Sequence, residues 1–136
     1  MSSDILSAEW LQRAQAAVNQ DPAFRLRGSI DVIVGIKVGA AAYLVTFSGF
    51  TCHGVQSVVG GEARNANFII EMSPEQWDRF LAGRRAGTGR TLVEIDTTDG
   101  IVKAQQPRKK LDFLRFHTSL QAFFDAGLKA ATAVAA

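Results

Sequence analysis

The stretch SIDVIVGIKV, residues 29–38, does more than any other to limit what this chain can fold into. Ile30, Val32, Val34, Ile36 and Val38 fall on one side of an extended backbone, with Asp31, Gly35 and Lys37 on the other. A strand patterned this way needs an apolar cover on one face. The next segments repeat the demand. Gly39 and the small residues after it turn the chain into AYLVTF, where Tyr43, Val45 and Phe47 share a face, and Ser48-Gly49 makes the next tight turn. FTCHGVQSVV reads as a third strand in which Gly54 predicts a bulge or a close approach. The loop GGEARNA leads to a fourth strand, NFIIEM. Connections this short predict antiparallel neighbours in sequence order, a meander.

The cover is supplied by helices. Ser7 is a good N-cap for AEWLQRAQAAVNQ, Leu6 and Leu11 occupy staple positions, and Trp10, Leu11, Ala14, Ala17 and Val18 recur on one helical face. Asp21-Pro22 predicts a short turn of helix, PAFRLR, stopped by Gly28. In SPEQWDRFLAG, Ser73 and Gln76 form a capping-box pattern, Pro74 suits the first helical position, and Trp77, Phe80 and Leu81 make one apolar stripe, with Gly83 as the expected stop. TLVEID fits either a short strand or a helical turn, and Asp99-Gly100 precedes a last strand, IVKA. Pro107 opens the longest helix, expected to end at Gly127; it holds four of the nine phenylalanines, and its stripe of Phe113, Leu114, Phe116, Leu120, Phe123 and Phe124 is wider than a surface helix needs. The sum is an α/β (α+β) chain forming a single domain over residues 1–127, with a tail at 128–136.

Composition narrows the function. The chain has 136 residues, 47% of them apolar and 21% charged, which is globular and sets one domain. No stretch reaches the length of a membrane span, and MSSDILSAEW has no basic region followed by an apolar run, so neither a span nor a secretory signal is expected. One cysteine, Cys52, excludes an internal disulfide and a cysteine-only metal cluster, and a cytoplasmic location is the expectation. Motifs for nucleotide binding, zinc hydrolysis and a serine nucleophile elbow are absent. No catalytic residue, metal or cofactor is assigned. Cys52 and His53 are adjacent and so point to opposite strand faces, against a Cys–His dyad. His53 and His117, with Asp112 or Glu71, are the acid-base candidates if the chain is an enzyme.

Charge is uneven. Between Arg79 and Arg115 lie nine Lys or Arg against four Asp or Glu, although the whole chain is only +2. Arg108, Lys109 and Lys110 stand in the first turn of the last helix, where the dipole disfavours cations. Such a region suits a solvated face, an anionic head group or a partner surface; nucleic acid is not expected, because the nearby phenylalanines read as core-directed.

The order of elements resembles the sterol carrier protein type 2 superfamily in its stand-alone bacterial form. The resemblance runs from about Leu6 to Ala126 and is carried by Trp10 with the NQDP segment Asn19 to Pro22, the strand followed by SPEQW and FLAG, and the closing helix after DGIVKA. It implies a mostly antiparallel five-stranded sheet with helices covering one face and enclosing a hydrophobic tunnel, and non-catalytic binding or transfer of a fatty acid, acyl-CoA, sterol or related lipid. Carried onto this chain, it implies Trp77 and Phe80 as walls, Phe47, Phe68 and Ile70 as floor, and Phe113, Phe116, Leu120 and Phe124 approaching from the last helix. The chain departs from the family at AQQPRKK and at RRAGTGR, both basic and near the implied opening. A basic rim of Arg84, Arg85 and Lys109 would suit a carboxylate or phosphate head group better than a neutral sterol. The alternatives are a small enzyme on the same fold acting on a hydrophobic or acyl-CoA substrate, and an accessory subunit binding a protein partner. Membrane contact is expected to be peripheral at most.

Overall fold

The computed structural model describes residues 6–26 and 28–135, with side chains described up to residue 130. Residues 1–5, which carry half of the reading against a leader, and Arg27 lie outside the described residues. The strands are β1 (Val32–Val38), β2 (Ala41–Ser48), β3 (Thr51–Val58), β4 (Phe68–Met72) and β5 (Val102–Lys103). The helices are α1 (Ala8–Asn19), α2 (Pro22–Arg25), α3 (Pro74–Ala86), α4 (Leu92–Asp99) and α5 (Pro107–Ala135).

The alternation of β1 sets the layers. Ile30, Val32, Val34, Ile36 and Val38 are all buried, joined on the same face by Val45, Phe47, Phe68, Ile70 and Met72, whose register partners lie opposite them. The sheet order is β3-β2-β1-β4-β5. The meander holds for β1, β2 and β3 and for β4 with β5, but β4 pairs parallel to β1 rather than beside β3. The physical reason lies in the connection. Because β3 and β4 run the same way, the nine residues between them must travel back along the sheet and across two strands, well within an extended reach of about 30 Å. They do so as a 3-10 turn, Gly60–Asn65, laid over the outer face. Gly35 makes room for it: a Cβ there would stand 3.3 Å from the Ala66 Cβ and 2.9 Å from Ile69 Cγ1, and Ala63 is fully buried.

The expected caps form. The Trp10 amide donates to Ser7 Oγ at 3.2 Å, and the capping box of Ser73 and Gln76 is complete, at 3.1 and 2.8 Å. Two expected stops do not act as stops. Gly83 sits inside α3, which continues to Ala86 until Gly87 closes it at a φ of 76°; a Cβ on Gly83 would come within 2.8 Å of the Gly89 Cα, so the glycine lets the loop fold back. Gly127 likewise lies within α5, where a Cβ would come within 2.5 Å of Trp10 Cη2. Its role is to let α5 lie on α1. TLVEID resolves as a helix, with a second capping box between Thr91 and Glu94.

Gly127→Ala gains helix propensity worth about 1 kcal/mol, but overpacking against a buried indole costs about 1 to 3 kcal/mol. The indole and the Ala14 methyl, which such a Cβ would approach to 2.9 Å, are both buried, so sterics wins. Urea unfolding is expected to show a net loss of up to about 2 kcal/mol; raised stability would contradict the seating of α5 on Trp10.

Candidate ligand-binding site

Eight of the nine residues expected to line a ligand are buried between the sheet and the helices: Phe47, Phe68, Ile70, Trp77, Phe80, Phe113, Leu120 and Phe124. Phe116 is half-buried at the edge of this layer, with the Arg115 guanidinium 5.2 Å from its ring. The rings touch one another. Phe124 meets Trp10, Trp77, Phe80 and Phe123 at centroid separations of 6.0, 5.5, 5.7 and 5.4 Å. From Phe123 the contacts run to Phe47 at 5.4 Å and from there to Phe24 at 6.4 Å. Phe68 and Phe113 form a second pair, edge to face at 5.6 Å. Such edge-to-face geometries add about 0.5 to 1.5 kcal/mol each beyond area burial.

Trp10 and Phe123 also belong to this layer, although the expected lining did not include them. The signal was present: Trp10 begins the apolar face of α1, and Phe123 belongs to the over-wide stripe of α5.

Polar groups within the layer are few. Trp77 Nε1 donates to the Lys37 carbonyl at 2.8 Å, which ties α3 to β1. Trp10 Nε1 is buried without a hydrogen-bond partner. An unpaired buried donor costs about 1 to 3 kcal/mol.

The three basic candidates do not converge. Arg84 forms a two-pronged pair with Asp125 at 3.2 and 2.9 Å, which raises its pKa further, and Gln121 donates to the same carboxylate at 3.3 Å. Arg85 is exposed on α3. Lys109 is exposed in the first turn of α5, sixteen positions before Asp125 and so roughly 24 Å away along the helix. The next residue, Lys110, is held by the buried carboxylate of Asp96 at 3.1 Å, whose other oxygen accepts from the Val102 amide at 2.8 Å. This carboxylate fixes β5 to α4 and α5. A cleft of about 250 Å³ opens beside Phe80, floored by Met72 and Ile95 and flanked by Arg79 and Arg90.

His53 is exposed on β3, where the pairing of Thr46 with Gly54 and of Phe47 with Cys52 leaves it as the bulged residue. A Cβ on Gly54 would meet nothing within 4 Å, so the glycine marks the bulge and not a close approach. His117 is half-buried on α5 against Phe113. Asp112 bonds Asn67, and Glu71 lies 4.0 Å from Lys37. Among the described residues no three His, Cys, Asp or Glu side chains are grouped as metal ligands would be. No helix among them is long and apolar enough to cross a membrane.

Cys52 is buried on the inner face, and the Asn19 side chain brackets its backbone, accepting from the amide at 2.8 Å and donating to the carbonyl at 2.9 Å. This clamp holds α1 on the edge strand.

No protein-family model matches the sequence, and no curated protein does. Solved structures do match. The crystal structure of sterol carrier protein 2 superposes with a TM-score of 0.69 over 89% of this chain and 95% of that one, at 18% identity. The chain has the fold of sterol carrier protein 2. A conserved hypothetical protein from Thermus thermophilus, described as possibly a sterol carrier protein, is similar over 96% of this chain and 92% of its own at a TM-score of 0.67 and 19% identity. In this sterol-carrier fold the helical side of the sheet carries the aromatic layer, and the outer side carries the 3-10 turn.

Burial pushes the Cys52 thiol up to about 12, offset only in part by a hydrogen bond from the Gly54 backbone. A folded value above the ordinary 9.0 gives stability that is full below that pH and is lost as pH rises toward 12. Native protein at pH 8 is therefore expected to react with a thiol reagent orders of magnitude more slowly than protein unfolded in urea. Equal rates would place the thiol at the surface.

Proposed function

We propose that the protein binds a hydrophobic small molecule, a fatty acid, acyl-CoA, sterol or related lipid, between α1, α3, α5 and the inner face of the sheet. The observation that carries this reading is a nearly all-apolar aromatic layer, containing one buried donor without a partner, in a fold shared with a protein named for carrying sterols. Plain core packing accounts for the rings. It does not account for the Trp10 donor, which a ligand carbonyl, carboxyl or hydroxyl oxygen would satisfy.

Binding would work by burial, at about 25 cal/mol per Å² of apolar area, with polar contacts choosing the orientation. The nine residues from Phe47 to Phe124 named above form its walls, and Phe116 at the margin is the side chain best placed to move, since it is the one left half-buried. An acidic end would meet the rim charges of Arg85 or Lys109; Arg84 would first have to exchange Asp125 for the ligand anion. Transfer of the ligand between sites in the cytoplasm, with no chemical step, is the function that follows.

Both tryptophans lie in the layer, so intrinsic fluorescence reports occupancy. Titration with oleate or cholesterol is expected to shift the emission saturably for at least one of them. Trp10→Phe, read through Trp77, is expected to weaken that binding about three- to tenfold, as the removal of one hydrogen bond predicts, and to lower stability as well, because the smaller ring no longer fills the space against Gly127. Phe116→Ala is expected to weaken binding while the fold persists. Absence of a saturable change with every lipid class tested would overturn the reading.

A further inference from the structure

The first half of α5 presents a second, separate feature. Leu111 and Leu114 stand one turn apart on its solvent side with 61% and 47% of their surface exposed, on the face opposite buried Phe113 and Leu120. Arg108 and Arg115 are exposed on the same side, and Lys109 is exposed in the same stretch of the helix. The nearby carboxylates are turned elsewhere: Asp112 is half-buried and accepts from Asn67 Nδ2 at 3.3 Å, and buried Asp96 holds Lys110. What faces solvent is thus two leucines among cations, in a first turn that carries no acid to suit the helix dipole. The core explains neither the exposed leucines nor the misplaced charge, and of these cations the proposed ligand would engage only Lys109.

We infer that this face, from Arg108 to Arg115, docks on an anionic membrane surface. The leucines enter the boundary between head groups and acyl chains, and the long basic side chains reach the lipid phosphates around them. A single helix lying on a compact fold is convex, which suits a deformable bilayer. The uniform positive charge supplies the complementarity. With only two leucines, attachment is reversible and salt-sensitive, as peripheral docking requires. This docking does not rest on the ligand reading, because the surface lies outside the aromatic layer and can be measured with no ligand bound.

The test is co-sedimentation of the full chain with vesicles of equal parts phosphatidylglycerol and phosphatidylcholine, against vesicles of phosphatidylcholine alone, at low and high salt. Binding is expected to the anionic vesicles only, and to fall at high salt. The double variant L111S/L114S and the triple variant R108E/K109E/R115E are each expected to weaken it by about tenfold or more. Their unfolding midpoints should match the wild type, because all five side chains are exposed. Failure of the wild-type chain to bind anionic vesicles overturns the inference, as does binding that both variants retain. A dimer in the absence of vesicles that L111S/L114S disperses would assign the leucines to a second copy of the chain, and also overturns it.

Discussion

The contact between the Trp10 ring and Gly127 governs how the helical layer sits. With no side chain at 127, α5 approaches α1 until the indole lies against its backbone, and that approach carries Phe124 in between Trp10 and Trp77. Trp77 is in turn tied to β1 through the Lys37 carbonyl, so one glycine on α5 sets the spacing of three helices over the sheet. The Asn19 clamp on Cys52 fixes the other end of α1 to the edge strand. A bulkier residue at 127 would lift α5 and loosen the ring contacts together, which makes the aromatic layer a cooperative unit.

The elements themselves were legible wherever local chemistry determines them. The alternation of β1, the N-cap at Ser7, the box at Ser73 and the proline at the head of α5 each depend on residues close in sequence, and each forms. What could not be read were properties set by distant partners. Gly83 and Gly127 look like helix stops in sequence, yet both are places where another segment comes near, Gly89 in one case and Trp10 in the other. The parallel pairing of β4 with β1 was missed for the same reason. Loop length suggested a neighbour of β3, but the loop's destination depends on a trough at Gly35 formed by β1 and β4 together. At the candidate site, apolar residues of the inner layer could be named one by one from strand and helix periodicity; the engagement of Arg84 by Asp125, a residue of α5 far along that helix from Lys109, required the tertiary structure.

The two faces of the sheet therefore divide the work. The outer face is crossed by the 3-10 turn, whose buried Ala63 sits over Gly35, and it offers no comparable aromatic surface among the described residues. The inner face holds the rings, both indoles and the unpaired donor. A ligand carried by this fold would share its space with the core that stabilises it, so side chains at the margin, such as Phe116, would tune binding, while those at the centre, such as Phe124, would affect stability and binding at once. The basic, leucine-bearing start of α5 lies on the opposite side of the same helix.

Native mass spectrometry of the protein purified directly from cells tests the central claim that the aromatic layer accommodates a ligand. The account predicts a population heavier than the bare chain by the mass of a lipid, which is released when the protein unfolds and can then be extracted and identified. A spectrum of bare protein alone, persisting after incubation with fatty acids and sterols, would contradict it and leave the layer as core.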